Sequence, residues 1–430
     1  MERTYIKDLH EHVGQSVKVC GFVQTVRKQG GIMFLILRDV TGTIQTVVLK
    51  ADTEVFEEAG KLSLESVVEI EGNVKEEKQA PGGFEMKADK IIVLSHAEPE
   101  LPIPIVEEKG GEDTDVTKRL DWRCIDLRKE KNLKIFKVWT ELEKGFRKYF
   151  DENRYLQIYT PSFMGTASET GADVFVVKYF EKQAYLAQSP QFYKQMAMAS
   201  GFEKVFIMGP VFRAEPSFTS RHMTEFTGWD FEISYINSHD DVMAEEERLL
   251  AAGFKQLKEK LGLDIEVPLF PFPKMTMEEA KKKLKDAGVK SGKKWDLTGE
   301  DEIALCEIVK KETGHDFVWV TDWPIESRPF YHMRYEDKPS LTKSFDLLYR
   351  GVEVTTGAQR EHRYEILKKQ AVEKGMNPKV LEDYLNFFRY GCPPHGGVGM
   401  GPGRLIMKIL NLPSVKEATF LPRDVKRLRP

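Results

Sequence analysis

The chain has 430 residues, 41% apolar and 31% charged, which excludes a disordered polymer and leaves length for two or three domains with their own cores. A formal net charge of −4 excludes an indiscriminate polyanion binder, yet it permits basic patches on a mildly acidic body. No uninterrupted apolar run approaches a membrane span, and the start, MERTYIKDLHEHVG, lacks an apolar leader core, so a cytoplasmic protein with no membrane partner is expected.

From residue 1 to about 100 the pattern is that of strands. Ser16 to Val26 alternates, Ile32 to Asp39 is a strand run, and Gly42 to Leu49 follows a turn. Val67 to Val74 and Lys90 to Leu94 add two more. Five short strands with glycine-rich turns predict a small closed barrel of the OB-fold kind over residues 1–103. Cys20, Cys124, Cys306 and Cys392 stand singly, so reduced thiols are expected and a zinc site or disulfide framework is not.

The Pro-rich stretch Glu98-Pro-Glu-Leu-Pro-Ile-Pro-Ile-Val suits neither helix nor central strand, so a hinge is placed at 104–130 and a second domain at 131–430. Lys131 to Phe150 reads as a helix with Leu133, Phe136, Val138, Leu142 and Phe146 on one face. Between Ile158 and Ile236 strand runs mix with a helix at Gln191–Ser200. The strands cluster as antiparallel groups, which predicts an α+β sheet domain. A Lys/Glu-rich helical insertion is expected over about 270–316. Amphipathic helices are expected at Glu361–Lys374 and Pro378–Arg389.

Three segments carry chemistry. Phe212-Arg213-Ala-Glu215, a polar loop, Arg221-His222-Met223 and Glu225-Phe226 form a strand, loop and return strand, continued by Trp229-Asp230-Phe-Glu232. Arg213, Arg221 and His222 could converge on a polyphosphate, or the hairpin could simply turn its charges to water. Asp346, Glu353 and Thr356 offer hard oxygen ligands of the kind Mg²⁺ uses beside phosphates; a solvated strand face is the alternative. The run from Gly396 to Arg404 enters a helix without the signature of a phosphate-cradling loop. Its glycines could admit a flat ligand, with Arg404 stacking on a purine or reaching phosphate, or could serve packing alone.

In this order the three segments resemble motif 2, the ATP and Mg²⁺ strand, and motif 3 of class II aminoacyl-tRNA synthetases, with motif 1 matching the helix from Lys131 to Pro161. The class I signatures are absent. The resemblance covers nearly the whole chain and is greatest to aspartyl enzymes of archaeal and eukaryotic type, through Gln188-Ser-Pro-Gln191-Phe-Tyr-Lys194-Gln and Thr224-Glu-Phe-Thr-Gly-Trp-Asp230. It implies a class II antiparallel-sheet catalytic domain behind an OB-fold anticodon-binding barrel. Its substrates would be ATP with Mg²⁺, L-aspartate and tRNA(Asp), with tRNA(Asn) also possible, and it would work as a homodimer.

The resemblance also implies roles. Arg213 would stabilise the transferring phosphate, while Arg221, His222 and Arg404 hold the outer phosphates. Phe226 and Arg404 would sandwich adenine, with Glu215 on its amino group and Met223 nearby. Glu353, with Asp346 and Thr356, would hold the metal. Lys194 and Arg360 would bind the aspartate side chain, with Asp230 fixing Lys194 and Thr356 close by; Glu169 and Gln191 would meet the α-ammonium. A buried cation pair left facing an uncharged amide costs on the order of 2–5 kcal/mol, which favours aspartate, and asparaginyl enzymes generally lack a lysine at the Lys194 position. Arg27, Gln29, Phe34, Gln45 and Glu85 would read the anticodon; outside this family Phe34 would read as a core aromatic. Gly403 stands where the family usually has glutamate, and Thr356 where it has serine. The rival readings are an asparaginyl enzyme, an aspartate-dependent amide ligase, and an RNA-binding module with an inactive catalytic domain.

Overall fold

Strict alternation of buried apolar residues curls five strands into a closed barrel in the first of two units, Met1–Leu133. In the computed structural model, which describes residues 1–106, 113–166 and 174–429, these are β1 (Ser16–Gln29), β2 (Ile32–Arg38), β3 (Thr43–Leu49), β4 (Val67–Glu76) and β5 (Phe84–Ser95), in the order β1-β2-β3-β5-β4. The long β1 pairs with β4 through its first half and with β2 through its second, and the β3–β5 pair that closes the barrel is parallel. Val19, Val23, Met33, Leu35, Leu37, Val68 and Ile70 fill the interior. The sequence pattern missed α1 (Thr53–Gly60) and began β5 too late. Residues 90–94 alternate poorly, and the buried Met86 and Ala88 lie upstream of them.

The described part of the expected hinge, 104–130, contains α2 (Val116–Asp121) and α3 (Arg123–Asp126) and belongs to this unit. Charged side chains hold it. Arg123 Nη1 meets Asp126 Oδ2 at 2.8 Å with both groups buried, and Arg128 Nη1 meets Glu65 Oε2 at 3.2 Å. The division between units falls within α4 (Glu130–Glu152), at Leu133/Lys134.

In chain order the second unit continues with β6 (Leu156–Gln157), β7 (Phe163–Met164), β8 (Val176–Tyr179), β9 (Lys182–Leu186), α5 (Gln191–Ala199), β10 (Lys204–Phe212), β11 (Glu225–Ser234) and α6 (His239–Leu261). Then come β12 (Lys274–Thr276), α7 (Met277–Asp286), α8 (Gly299–Thr313), β13 (Phe317–Thr321), β14 (Ser344–Tyr349), β15 (Val352–Gln359), α9 (Tyr364–Glu373), α10 (Glu382–Arg389), β16 (His395–Met400) and α11 (Pro402–Ile409). One sheet has the order β12-β13-β14-β15-β16-β11-β10-β6, and β7, β9 and β8 form a smaller one.

The six central strands are antiparallel, as expected, but both edge pairs, β12–β13 and β10–β6, are parallel. A parallel pair needs a crossover, and α7 with α8 supplies one from β12 to β13. The segment expected as a helical insertion is therefore built into the sheet. Its Leu284, Leu305 and Val309 pack on Val318, Val320 and Leu348 of the neighbouring strands. Against the rest of the sheet, Leu142 and Phe146 of α4 and Leu250 and Phe254 of α6 pack on Trp229, Phe231, Phe345 and Val398. This layer holds β10, β11, β15 and β16 as a rigid floor.

Candidate active site

A cavity of about 750 Å³ lies in the second unit over β10, β11, β15 and β16. Of the residues singled out from sequence, Gln191, Arg213, Glu215, Arg221, His222, Met223, Phe226, Asp230, Glu353, Thr356, Arg360 and Arg404 all line it. Lys194 and Asp346 lie buried among the residues beneath it, and Glu169 falls outside the described residues.

At one end the charges are locked into the sheet. Lys194 projects from α5, where the preceding Pro190 starts the helix, and is fully buried. Its Nζ donates to Asp230 Oδ2 at 2.9 Å and to the Val398 carbonyl at 2.7 Å, with Glu232 Oε2 at 3.4 Å. Arg360 is equally buried, and Nε donates to Glu232 Oε1 at 2.9 Å and Nη2 to the Gly397 carbonyl at 2.8 Å. A Cβ at Gly397 would sit 2.1 Å from the Phe231 carbonyl oxygen and 2.2 Å from Glu232 Oε2, so this glycine serves packing and makes room for the ion pair. Burial raises the Asp230 carboxyl above its ordinary range despite Lys194. For Glu232 burial also pushes upward, but Arg360 and Lys194 outweigh it and hold the carboxyl low.

Beside them, His332 Nε2 lies 3.0 Å from Arg360 Nη1. Burial first, then Arg360, pushes that imidazole far below its usual value, so it is neutral and accepts from the guanidinium. Gln191 Nε2 donates to Gln195 Oε1 at 2.9 Å, which also accepts from the Tyr384 hydroxyl. Two cations and two carboxylates thus balance, with Arg360 and Asp230 at the cavity wall. The arrangement can receive a small ligand that carries its own carboxylate and ammonium.

The other end is built for anions. Arg213 sits 5.5 Å from the Phe226 ring centroid, and its backbone pairs with Thr224. Arg404 Nε donates to the Arg221 carbonyl at 3.2 Å and Nη1 to the Glu353 carbonyl at 3.0 Å, with Glu353 Oε1 at 3.4 Å. The Gly403 substitution leaves this placement intact. Gly403 is buried in the first turn of α11, where a Cβ would lie 3.1 Å from Val415 Cγ2, so a larger side chain here would have to displace Val415. His222 is pushed down to about 4 by burial, then by Arg404 and Arg221. At neutral pH it is therefore an uncharged ring and not the third cation that its place in the sequence suggests.

Asp346 and Thr356 face each other across β14 and β15, and the Thr356 hydroxyl donates to Glu353 Oε1 at 3.1 Å. Asp346 Oδ2 accepts from Arg328 Nη2 at 2.7 Å, while among the described residues none donates to the buried Oδ1 with good geometry. Burial and then Glu353 push Asp346 up to about 6. Among the described residues there is no group of three or more His, Cys, Asp or Glu side chains arranged around a metal. Any divalent ion here would draw on two carboxylates, a hydroxyl and its own substrate.

Sequence reasoning overlooked His332, Arg328 and Glu302, and named Glu232 without a role. Its place two residues beyond Asp230, on the same face of β11, was the signal. Glu302 sits in a Lys/Glu-rich stretch where nothing separates it from solvated neighbours.

In the barrel unit, cross-strand register sets Arg27 opposite Phe34, Gln29 opposite Ile32, Phe34 opposite Val47 and Ile36 opposite Gln45. These residues share the outer face, alternating with the interior Met33, Leu35 and Leu37. Phe34 is half-buried there and is not part of the barrel core. Gln45 Nε2 donates to Glu85 Oε2 at 2.7 Å, and Lys75 pairs with Glu85 Oε1 at 2.9 Å.

Residues 115–425 match the family of class II tRNA synthetases (D, K and N), and residues 17–94 match an OB-fold nucleic acid binding domain. The chain is 42% identical over 429 residues, covering 98% of it and 97% of the relative, to an aspartate–tRNA(Asp/Asn) ligase of Methanopyrus kandleri. It is 41% identical, over the full length of both chains, to an aspartate–tRNA(Asp) ligase of Thermococcus kodakarensis. Among solved structures it superimposes with a TM-score of 0.92 and 33% identity, both chains fully covered, on asparaginyl-tRNA synthetase from Pyrococcus horikoshii complexed with asparaginyl-adenylate. Aspartyl tRNA synthetase from Entamoeba histolytica aligns with a TM-score of 0.88 and 32% identity, over 100% of this chain and 93% of that one. The chain is thus a member of the class II tRNA synthetase family of D, K and N enzymes, with an OB-fold nucleic-acid-binding domain ahead of its catalytic domain.

Proposed function

We infer that this chain is an aspartate–tRNA ligase that activates L-aspartate with ATP and transfers it to the 3′ end of tRNA(Asp), and by the likeness to the Methanopyrus relative also of tRNA(Asn). The observation that carries the choice of amino acid is the buried Lys194–Asp230–Glu232–Arg360 lattice. It fixes two cations beside the cleft for the aspartate side chain, with Gln191 and Glu169 left to the α-ammonium.

In the first step the aspartate α-carboxylate attacks the α-phosphorus of ATP in line, forming aspartyl adenylate and releasing pyrophosphate. In the second, the terminal ribose hydroxyl of tRNA attacks the mixed anhydride and AMP leaves. Neither step needs a covalent enzyme nucleophile; positioning and charge stabilisation supply the acceleration. Arg213 faces the transferring phosphate, Arg221 and Arg404 the outer phosphates, and His222 offers a neutral ring. Phe226 and Arg404 enclose adenine, with Glu215 and Met223 at its edge. The buried Asp346 Oδ1, Glu353 and the Thr356 hydroxyl fit Mg²⁺, which when bound neutralises phosphate charge.

On the barrel, the outer-face set of Arg27, Gln29, Phe34 and Gln45 with Glu85 reads the anticodon by stacking and base-edge bonds. A homodimer is supported by the likeness of the helix from Lys131 and the segment to Pro161 to motif 1, with Leu156 of β6, Tyr159 and Phe163 of β7 exposed along and just beyond it, Tyr159 to 82%. The site of action, in translation, is the cytoplasm.

ATP–pyrophosphate exchange tests the choice of amino acid. Aspartate should support Mg²⁺-dependent exchange, with asparagine at least about a hundredfold poorer, the factor that about 2.7 kcal/mol gives. Equal exchange with asparagine would overturn the aspartyl assignment.

A further inference from the structure

The segment expected as an insertion reaches the phosphate end of the cleft. Glu302, in the first turn of α8, is buried, and Oε2 accepts both from Arg221 Nη1 and, at 2.9 Å, from the Glu353 backbone N–H. Arg404 completes the circuit through the Arg221 carbonyl, the Glu353 carbonyl and the Glu353 carboxylate. Glu302 therefore joins the polar loop after β10, which carries Arg221, to β15, which carries Glu353.

Two further features show why a tether is needed. A Cβ at Gly299 would lie 3.5 Å from Arg221 Cζ, in ordinary contact, so the guanidinium sits beside the α8 N-terminus. That helix end repels a cation, and the Glu302 carboxylate offsets the repulsion. Arg221 also lines a second cavity, of about 640 Å³, on the side of Lys290, Gly299 and Lys408. An arginine with four rotatable bonds and open space on both sides spreads over many rotamers unless something holds it.

We propose that Glu302 is a positioning residue that holds Arg221 over the ATP cleft, so that the α7–α8 segment serves to organise the site for the outer phosphates. The proposal rests on the ATP-site reading above and adds a residue from outside the three motifs. Arg221 is held in place before ATP arrives, so less binding energy is lost in ordering it.

The test is steady-state ATP–pyrophosphate exchange by Glu302→Ala and Glu302→Gln, with thermal unfolding to verify that both fold. In Glu302→Ala, KM for ATP and for pyrophosphate should rise at least about tenfold, equivalent to about 1.4 kcal/mol, while KM for aspartate stays within about twofold. Glu302→Gln keeps an oxygen that can accept both hydrogen bonds but not the charge, and should recover part of the loss. An unchanged or lowered KM for ATP in the alanine variant overturns the proposal, as does an equal rise for ATP and aspartate, the mark of general disruption. Absence of exchange in the unmodified protein would instead defeat the aspartate–tRNA ligase reading.

Discussion

At the floor of the cleft, loss of the Arg360 guanidinium would leave buried Glu232 with Lys194, 3.4 Å away, as its ion-pair partner among the described residues. Removing one partner of a buried pair is costly, on the order of 3–5 kcal/mol, and in the proposed aspartate site it also removes a contact for the substrate carboxylate. Arg360→Leu should therefore reduce aspartate-dependent exchange by at least about a hundredfold. Lys369→Leu, on an exposed helix face, should leave it within about twofold. Loss of activity in both, or in neither, would disconnect Arg360 from the substrate. At this scale the sequence was informative where a residue sits at a motif position, as do Lys194, Asp230 and Arg404. It was silent on Glu302, because a glutamate beside Glu300 and Asp301 looks the same whether it faces water or an arginine. His222 was legible as a site residue but not as a neutral one, since its charge state depends on the burial and the two arginines that only the fold brings to it.

Helix α6 shows the same limit in an element. Glu245, Glu246 and Glu247 are consecutive, drew no comment from the sequence pattern, and are all buried. Glu245 takes the Tyr155 hydroxyl and Arg248, and Glu247 takes the Phe272 N–H and the Trp319 indole. Among the described residues neither carboxylate oxygen of Glu246 has a partner of good hydrogen-bond geometry, and burial pushes it up to about 8, against the pull of the nearby Thr355 hydroxyl and with Glu247 adding to the rise. A carboxyl raised in the folded state is protonated there, so the stability it contributes is complete below about pH 4.5 and is lost as pH climbs towards 8. Glu246→Gln should therefore match the parent near pH 4.5 and become more stable by a few kcal/mol near pH 8. Denaturant unfolding across that range checks it; a constant difference at all pH values would contradict the neutral carboxyl. The parallel edge strands were equally hidden, because β6 has two residues and β12 three, too few for any alternation to show.

For the whole molecule, the strand pattern of the barrel and the order of the three motifs were enough to anticipate both domains, since each rests on periodicities that the chain carries locally. The second domain was expected from residue 131, and the division between units falls three residues on, at Leu133/Lys134. Two units imply separable tasks. Base–aromatic stacking is worth about 1–3 kcal/mol per base, so Phe34→Ala should weaken tRNA use roughly five- to a hundredfold and leave exchange without tRNA near the parent rate. Equal damage to both would make Phe34 a structural residue of the barrel. Light scattering at micromolar protein should give twice the 49.4 kDa subunit mass; a single subunit mass would remove the role given to the segment around Tyr159.

The most direct test of the central claim is aminoacylation itself, with purified tRNA(Asp) and tRNA(Asn) offered with labelled aspartate or asparagine. Aspartate should become esterified to tRNA(Asp) in an ATP-dependent reaction that Arg213→Ala abolishes, with asparagine esterified to neither tRNA. Attachment of asparagine to tRNA(Asn), or binding of tRNA with no charging by any amino acid, would contradict it.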